Sequence, residues 1–391
     1  MRTRAGPEPV AATPTAPAAV PTLRLSVDAS AVPVQPTGAG RYVIELVRAL
    51  NALPGVDLTL FCRRGDGDRW RRGEATVVER APVHRPVRLA WEQVELPRLL
   101  GDLPIDVHHC PHYTMPERAR VPRVVTVHDM TFFDHPEWHE RPKVLYFRRA
   151  IRAATTKADA LITPSERAAE RIADALDLRA PLHVVPHGVD HRRFTPPGAS
   201  AADDDAVLAR LGIERPYVAF VGTLEPRKDV PTLVRAFDRL AGGHPGLGLV
   251  LAGGDGWGTA AVDEAIAGSA HPERIRRVGY LPEAEKPALL RRADTVSYPS
   301  QEEGFGLPVL EALACGAPLV TTEGSAMAAM AGGSALLAAA GNVDSLAQAL
   351  EASLAGGPEV AERRRLGIEV AGRYTWAAAA ARHLEVFRTV V

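Results

Sequence analysis

Residues 23–28 alternate apolar and polar side chains, the period of a strand with one buried face. A loop carrying Gly38 and Gly40 follows. Then Tyr42, Val43, Leu46, Val47 and Leu50 recur at helical spacing. Residues 57–62 read as the next strand. Residues 124–128 form a short apolar run ending in His128 and Asp129, as expected of a strand buried on both faces. Residues 143–156 read as a helix, 160–163 as a strand and 183–186 as another. Between the last two, Thr163 as N-cap, Pro164 at the first helical position and Glu166 at the third predict a helix start.

Residues 196–205 are rich in Pro, Gly, Ala and Asp, and a second series begins after them. Residues 217–222 read as a strand, 230–240 as a helix, and 247–252 as a strand ending in Gly253-Gly254-Asp255-Gly256. Residues 277–280 and 295–298 are short strands. Residues 308–315 predict a helix with Pro308 at its first position and Gly316 past its end, and 318–322 predict a further strand. A strand-loop-helix unit repeated in this way implies an α/β fold. It predicts two doubly wound parallel sheets with helices on both faces, interrupted once near residue 195. Ligands in such sheets lie beyond the carboxyl ends of the strands, and two such domains create a cleft between them.

Size agrees with two domains: 391 residues exceed one ordinary core. The domains are expected at 22–195 and 196–375, with a last helix, 376–391, crossing back onto the first. Residues 1–21 are low-complexity Ala, Pro and Thr without a continuous apolar stretch, so they are expected to be a disordered tail and not a secretory signal. Lys and Arg number 46 against 47 Asp and Glu, a balance that argues against a chain built to coat nucleic acid. Cys62, Cys110 and Cys315 are few and far apart. That argues against a disulfide framework and a structural zinc site and favours a reducing, cytoplasmic setting. No apolar run reaches the length of a membrane span.

The segment Glu302-Glu303-Gly304-Phe305-Gly306-Leu307-Pro308-Val309-Leu310-Glu311 carries the strongest chemical signal. A strand ends just before it and a helix starts within it, so free N–H groups at the helix tip can bind a phosphate. Glu303 and Glu311 flank that point and suit sugar hydroxyls better than phosphate. This segment resembles the E-x7-E motif of retaining glycosyltransferases of family 4, also grouped as glycosyl transferases group 1, which have the GT-B architecture of two facing Rossmann-like domains. The resemblance implies that Glu303 contacts the hydroxyls of the donor sugar and Glu311 the ribose. Gly304, Phe305, Gly306 and Leu307 would complete the donor loop.

Arg227 and Lys228 stand in Val221-Gly222-Thr223-Leu224-Glu225-Pro226-Arg227-Lys228-Asp229, at a strand-to-helix loop where two cations can neutralise a diphosphate. The loop resembles the family's G-x-L-x-x-x-K element, which contacts the donor pyrophosphate. Thr223 follows Gly222 where many relatives have Arg, and Arg227 is expected to supply that charge. His128-Asp129 closes a strand of the first domain. A histidine alone at such a place is more often structural than functional. The resemblance assigns His128 to the donor sugar, through a hydroxyl or its own backbone carbonyl, and not as a general base. Gly38 and Gly40 resemble the glycine loop of the acceptor domain, near the phosphates and the acceptor, and with Asp129 they form the expected acceptor side. A tight turn explains the two glycines equally. Tyr280, in Val278-Gly279-Tyr280-Leu281-Pro282, resembles the loop that packs on the base, and His187 lies in an element similar to one at the domain crossing, read as a structural turn. Alanines stand near Met327–Met330, where relatives have Pro-Glu.

The resemblance implies hexosyl transfer, with retention, from a nucleotide-diphospho-sugar to an acceptor hydroxyl. The Gly222–Lys228 loop is most similar to mannosyltransferases, so GDP-mannose is the first donor and a UDP-sugar the second. No Asp-x-Asp pair stands at a suitable point, so no obligatory metal or other cofactor is expected. The acceptor is a glycan, a lipid-linked molecule or a small molecule. A basic amphipathic stretch, 141–157, is either a core helix with a solvated face or a peripheral contact with the inner face of the membrane. Two rivals share the fold: a nucleotide-sugar 2-epimerase that hydrolyses its donor, and a non-catalytic sugar-nucleotide-binding subunit.

Overall fold

A computed structural model describes residues 21–71, 73–198 and 201–391. The expected tail, apart from Pro21, lies outside the described residues. Seven parallel strands make the first sheet: β1 (Leu23–Asp28), β2 (Val56–Arg63), β3 (Thr76–Ala81), β4 (Val107–Cys110), β5 (Arg123–Thr126), β6 (Ala160–Thr163) and β7 (Leu182–Val184), in the order β3-β2-β1-β4-β5-β6-β7. Six more make the second: β8 (Tyr217–Val221), β9 (Gly248–Ala252), β10 (Ile275–Gly279), β11 (Thr295–Tyr298), β12 (Leu319–Thr322) and β13 (Leu336–Ala338), in the order β10-β9-β8-β11-β12-β13. The strands β6, β8, β11 and β12 are short and buried throughout, as helices on both faces require.

Each sheet reverses its strand order once, between β1 and β4 and between β8 and β11. At such a point neighbouring crossovers leave on opposite faces, and the loops at the carboxyl ends of the two strands part to form a crevice. The loops after β1 and β8 therefore carry Gly38 and Lys228 into crevices, and the loop after β11 carries Glu303.

The helix Trp376–Arg388 packs Ala380, Leu384, Val386 and Phe387 into the core of the first sheet. Its His383 Nε2 lies 2.9 Å from the Tyr42 hydroxyl, which is also 3.0 Å from Thr126 Oγ1. The two strands of chain that join the lobes run side by side, bridged between Val189 and Thr375. A side chain on Gly188 would overlap the backbone of Trp376, so only glycine lets the crossings touch.

Several boundaries differ from expectation. The predicted cap at Thr163 is Ser165, whose hydroxyl accepts from the Ala168 N–H at 3.2 Å. Thr163 remains in β6, because its carbonyl is taken by the Val185 N–H at 2.8 Å. Pro308 is the second helical residue, not the first, because the helix Leu307–Ala314 opens from Gly306, which has φ 99°. The segment 196–205, read as the break between the two series, includes the start of a helix, Ala201–Leu211; Arg291 fixes it through Asp204 at 2.7 Å.

Candidate active site

The cleft between the lobes has a volume of about 320 Å³. From the second lobe it is lined by Gly222, Thr223, Arg227, Lys228, Tyr280, Glu303, Gly304, Phe305, Gly306 and Leu307. From the first lobe come Gly38, His128 and Asp129. These thirteen residues were each singled out from the sequence, and the fold brings them to one wall or the other. Gly40 and Glu311 lie elsewhere. Gly40 lines a neighbouring cavity of the first lobe, and Glu311 opens onto a small chamber beside the cleft.

At the centre of the second-lobe wall, Glu303 bridges the two cations. Lys228 Nζ donates to its Oε1 at 2.5 Å, and Arg227 pairs with Oε2. Arg227 also donates to Glu225 at 2.9 Å. Two cations thus face two carboxylates, in a place where Lys228 is only 6% exposed. Burial by itself would raise the Glu303 pKa, but Arg227 and Lys228 outweigh it and hold the carboxyl down at about 2. The same carboxylates hold the Arg227 guanidinium well above its ordinary value, against its own burial.

The turn that aims Lys228 is strained. Asp229 has φ 49°, a left-handed conformation that a residue with a Cβ adopts at a cost of about 1–2 kcal/mol. Its carboxylate offsets this by accepting from Thr232 Oγ1 at 2.8 Å and Gln301 Nε2 at 3.1 Å. Gln301 belongs to the loop after β11, so the turn holding Lys228 is tied to the loop holding Glu303. Nothing in the local sequence marks this link, because Asp229 and Gln301 lie far apart along the chain.

Two contacts clamp the acidic loop from the first lobe. Ser165 Oγ donates to the Gly304 carbonyl at 2.6 Å, and Arg167 forms a two-pronged pair with Glu302 at 2.9 and 3.0 Å. Gly304 itself meets the first lobe at backbone distance: a Cβ there would overlap the His128 carbonyl oxygen. His128 Nε2–H donates to the Pro111 carbonyl at 2.8 Å, which leaves Nδ1 as the acceptor. Burial lowers its pKa, so the ring is neutral at pH 7. Among the described residues no group of three or more His, Cys, Asp or Glu could hold a metal ion.

Glu311 is 6% exposed and shares its chamber with Arg41, Glu45, Arg193 and Glu283. Arg41 reaches Glu283 across the lobes at 3.2 Å, and Lys286, on the cleft wall, pairs with Glu283 as well. Burial pushes Glu311 up to about 7; Lys286 opposes it and Glu283 adds to it, with Arg41 and Arg193 opposing. A carboxyl with a raised pKa favours the folded state below its unfolded value near 4.5 and loses that contribution as pH climbs through 7. Thermal melts at pH 5.5 and pH 8 should therefore show Glu311→Gln gaining on the wild type at the higher pH, by roughly 1–3 kcal/mol. An equal difference at both pH values would mean that Glu311 does not change its protonation between them.

Sequence reasoning missed Lys286 and Trp257 on the cleft wall, and it read His187 only as part of a turn. The His187 ring sits 4.9 Å from Phe305 and 4.5 Å from Tyr42, joining the donor loop to the first lobe. Its Gly188 neighbour was the available signal for a tightly packed crossing.

Two facing parallel-sheet lobes with strand-end loops converging on an interlobe cleft are the GT-B architecture. The model for Glycosyl transferases group 1 matches residues 206–369, and that for Glycosyltransferase Family 4 matches 36–193. The chain belongs to this family of glycosyltransferases, the first model falling on the second lobe and the other on the first. The O-antigen chain mannosyltransferase B of Escherichia coli is 27% identical over 368 residues, covering 87% of this chain and 93% of that protein. A D-inositol 3-phosphate glycosyltransferase of Mycobacterium sp. (strain JLS) is 32% identical over 270 residues, covering 66% of this chain and 59% of the relative. Among solved structures, sucrose-phosphate synthase from Thermosynechococcus elongatus superposes with a TM-score of 0.76 at 19% identity, over 94% of this chain and 99% of that one. Anabaena HepE in complex with UDP and glucose gives 0.75 at 20% identity, over 94% and 100%. These two likenesses establish the fold. Among the described residues no helix is long and apolar enough to cross a membrane. The helix Arg141–Lys157 spends several of its cations locally: Arg149 and Lys157 both pair with Glu117 at 2.7 Å.

Proposed function

We propose that the chain transfers a hexose, with retention at the anomeric carbon, from a nucleotide-diphospho-sugar to an acceptor hydroxyl. The observation that carries this reading is the buried cluster of Lys228, Arg227 and Glu303 on the cleft wall. A departing diphosphate needs cations that are fixed before it forms, because preorganised charge in a site shielded from water stabilises the transition state without reorganisation. Glu303 supplies the complementary part. It holds both cations in place and offers a carboxylate, ionised at every physiological pH, to sugar hydroxyls.

In the reaction, the bond between the anomeric carbon and the β-phosphate oxygen breaks, and the acceptor oxygen bonds to the same face. The acceptor proton passes to the departing phosphate oxygen, and the nucleoside diphosphate leaves. Lys228 and Arg227 stabilise the charge on that group. His128, whose burial makes it a poor base and whose Nε2–H is donated to Pro111, is suited to orienting the donor sugar through Nδ1. Tyr280 and Thr223 face the nucleotide, and Gly38 and Asp129 face the acceptor. Glu311 reaches the ribose from its side chamber.

Mannose, carried by GDP, is the first donor. The similarity to the E. coli mannosyltransferase, which extends over nearly the whole of both chains, supports it. The test is a thermal-shift panel of GDP-mannose, UDP-glucose, UDP-N-acetylglucosamine, ADP-glucose and dTDP-glucose. A ligand present at 100 times its dissociation constant stabilises the native state by about 2.7 kcal/mol. GDP-mannose is expected to raise the melting temperature well beyond the others. A larger shift with a UDP-sugar would reassign the donor, and no shift with any sugar nucleotide would overturn the reading. Retention is checked by the anomeric coupling constant of the product.

A further inference from the structure

The first lobe contains a second cavity, of about 430 Å³, that the donor chemistry leaves unused. It adjoins the cleft, since Thr37, Ala39 and His112 line both. Three guanidinium groups line it, Arg63, Arg85 and Arg88, against one carboxylate, Asp28. Arg63 is committed, donating to the Val32 carbonyl at 2.6 Å with Asp66 at 3.8 Å. Arg85 and Arg88 have no carboxylate within ion-pair distance among the described residues. Arg88 makes one long hydrogen bond, 3.3 Å to Ser30 Oγ, and Arg85 lies 5.9 Å from the centre of the Phe147 ring.

Asp28 is itself engaged, accepting the Ser30 N–H at 2.9 Å. Glu92, on the same helix as Arg85 and Arg88, is 1% exposed. Burial, and after it the Asp28 carboxylate, push Glu92 up to about 8 against Thr114 and Arg88, so it is largely protonated at neutral pH. The cavity therefore carries an excess of positive charge, three guanidinium groups against the Asp28 carboxylate, and two of those forks, Arg85 and Arg88 of the helix Arg85–Val94, are in no ion pair among the described residues. Forked donors of this kind match the oxygens of a phosphate. An apolar part of the wall runs from Val32, Pro33, Leu89 and Phe147 to Val83, which is 66% exposed, and Ser30, Thr37, His112 and Thr114 add polar groups.

We propose that this cavity binds a phosphate or diphosphate group on the acceptor, held by Arg85 and Arg88, so that the acceptor hydroxyl points past Thr37 and His112 to the donor sugar. The proposal rests on the glycosyl-transfer reading for its meaning, but the anion site stands on its own residues. Calorimetric titration of the full chain with inorganic pyrophosphate and with farnesyl diphosphate tests it, each in saturating GDP and UDP so that the donor cradle is filled. Both ligands should bind, and Arg85→Gln/Arg88→Gln should weaken them at least tenfold while its melting temperature stays at the wild-type value. Farnesyl diphosphate binding more tightly than pyrophosphate would assign the site to a lipid-linked acceptor; equal affinities would assign it to a water-soluble phosphorylated one. Lys228→Ala separates the two readings: binding that survives Lys228→Ala and is lost in the arginine variant belongs to the first lobe, whatever becomes of the donor reading. No binding of either ligand, or affinities unchanged in the arginine variant, would overturn the proposal.

Discussion

Lys228→Ala is expected to lower kcat by about a thousandfold, equivalent to about 4 kcal/mol of transition-state stabilisation. The ammonium is held at 2.5 Å from Glu303 in a site that water scarcely reaches, and there a fixed charge acts at short range with little screening. Its removal also leaves Glu303 buried with Arg227 as its remaining cation, so some loss of stability should accompany the loss of rate. Stability alone would not identify a diphosphate cradle. The companion variant Glu303→Gln does so, because it frees Lys228 from its internal anion and leaves Arg227 with Glu225 alone. Product nucleotide should bind more weakly than wild type to Lys228→Ala and more tightly to Glu303→Gln, although turnover falls in both. Titration of the nucleoside diphosphate into the two variants checks this. Equal weakening in both would show that the cluster acts as structural support and not as a competitor for phosphate.

Gly304→Ala should be nearly as damaging for a different reason. Its backbone is not in the left-handed region, so the added methyl brings no conformational strain. The methyl would instead overlap the His128 carbonyl oxygen of the opposite lobe. Neither partner is a flexible side-chain end, so the lobes must part, by about 1 Å. A misplacement of that size costs about a hundredfold in rate. The second lobe alone makes the cradle, so nucleoside diphosphate affinity should stay close to wild type while kcat falls. Single-turnover transfer measured beside nucleotide titration gives both quantities. Full turnover in Gly304→Ala would mean that the lobes react without this backbone contact.

The loops that line the cleft were legible because each one follows a strand whose apolar run stops abruptly, and each carries a group whose chemistry is unusual at such a place. Glu303, Arg227 and Lys228 were found in this way, and Gly304 through the resemblance of its loop. Lys286 was not, since a lysine opening a short helix is ordinary by itself and gains meaning only when Glu283 and Glu311 are seen around it. The strands β3, β4 and β13 were missed as well. The first carries a mixed polar surface, the second contains two histidines, and the third is only three residues long. Their places are set by neighbouring strands and not by a pattern of their own.

What the sequence determined by itself was the strand-loop-helix alternation and the loops that carry charge, because side-chain periodicity, proline and glycine act within a few residues of themselves. Tertiary structure decided which charges meet. Lys228 and Glu303 stand 75 positions apart, and they touch because the strand order of the second sheet reverses between β8 and β11. Glu311 drew a chamber of its own, and Arg85 and Arg88 were left facing an open cavity, because burial and pairing depend on what packs from the other lobe and the neighbouring strands. Those energies are set across space, and no local stretch of chain contains them.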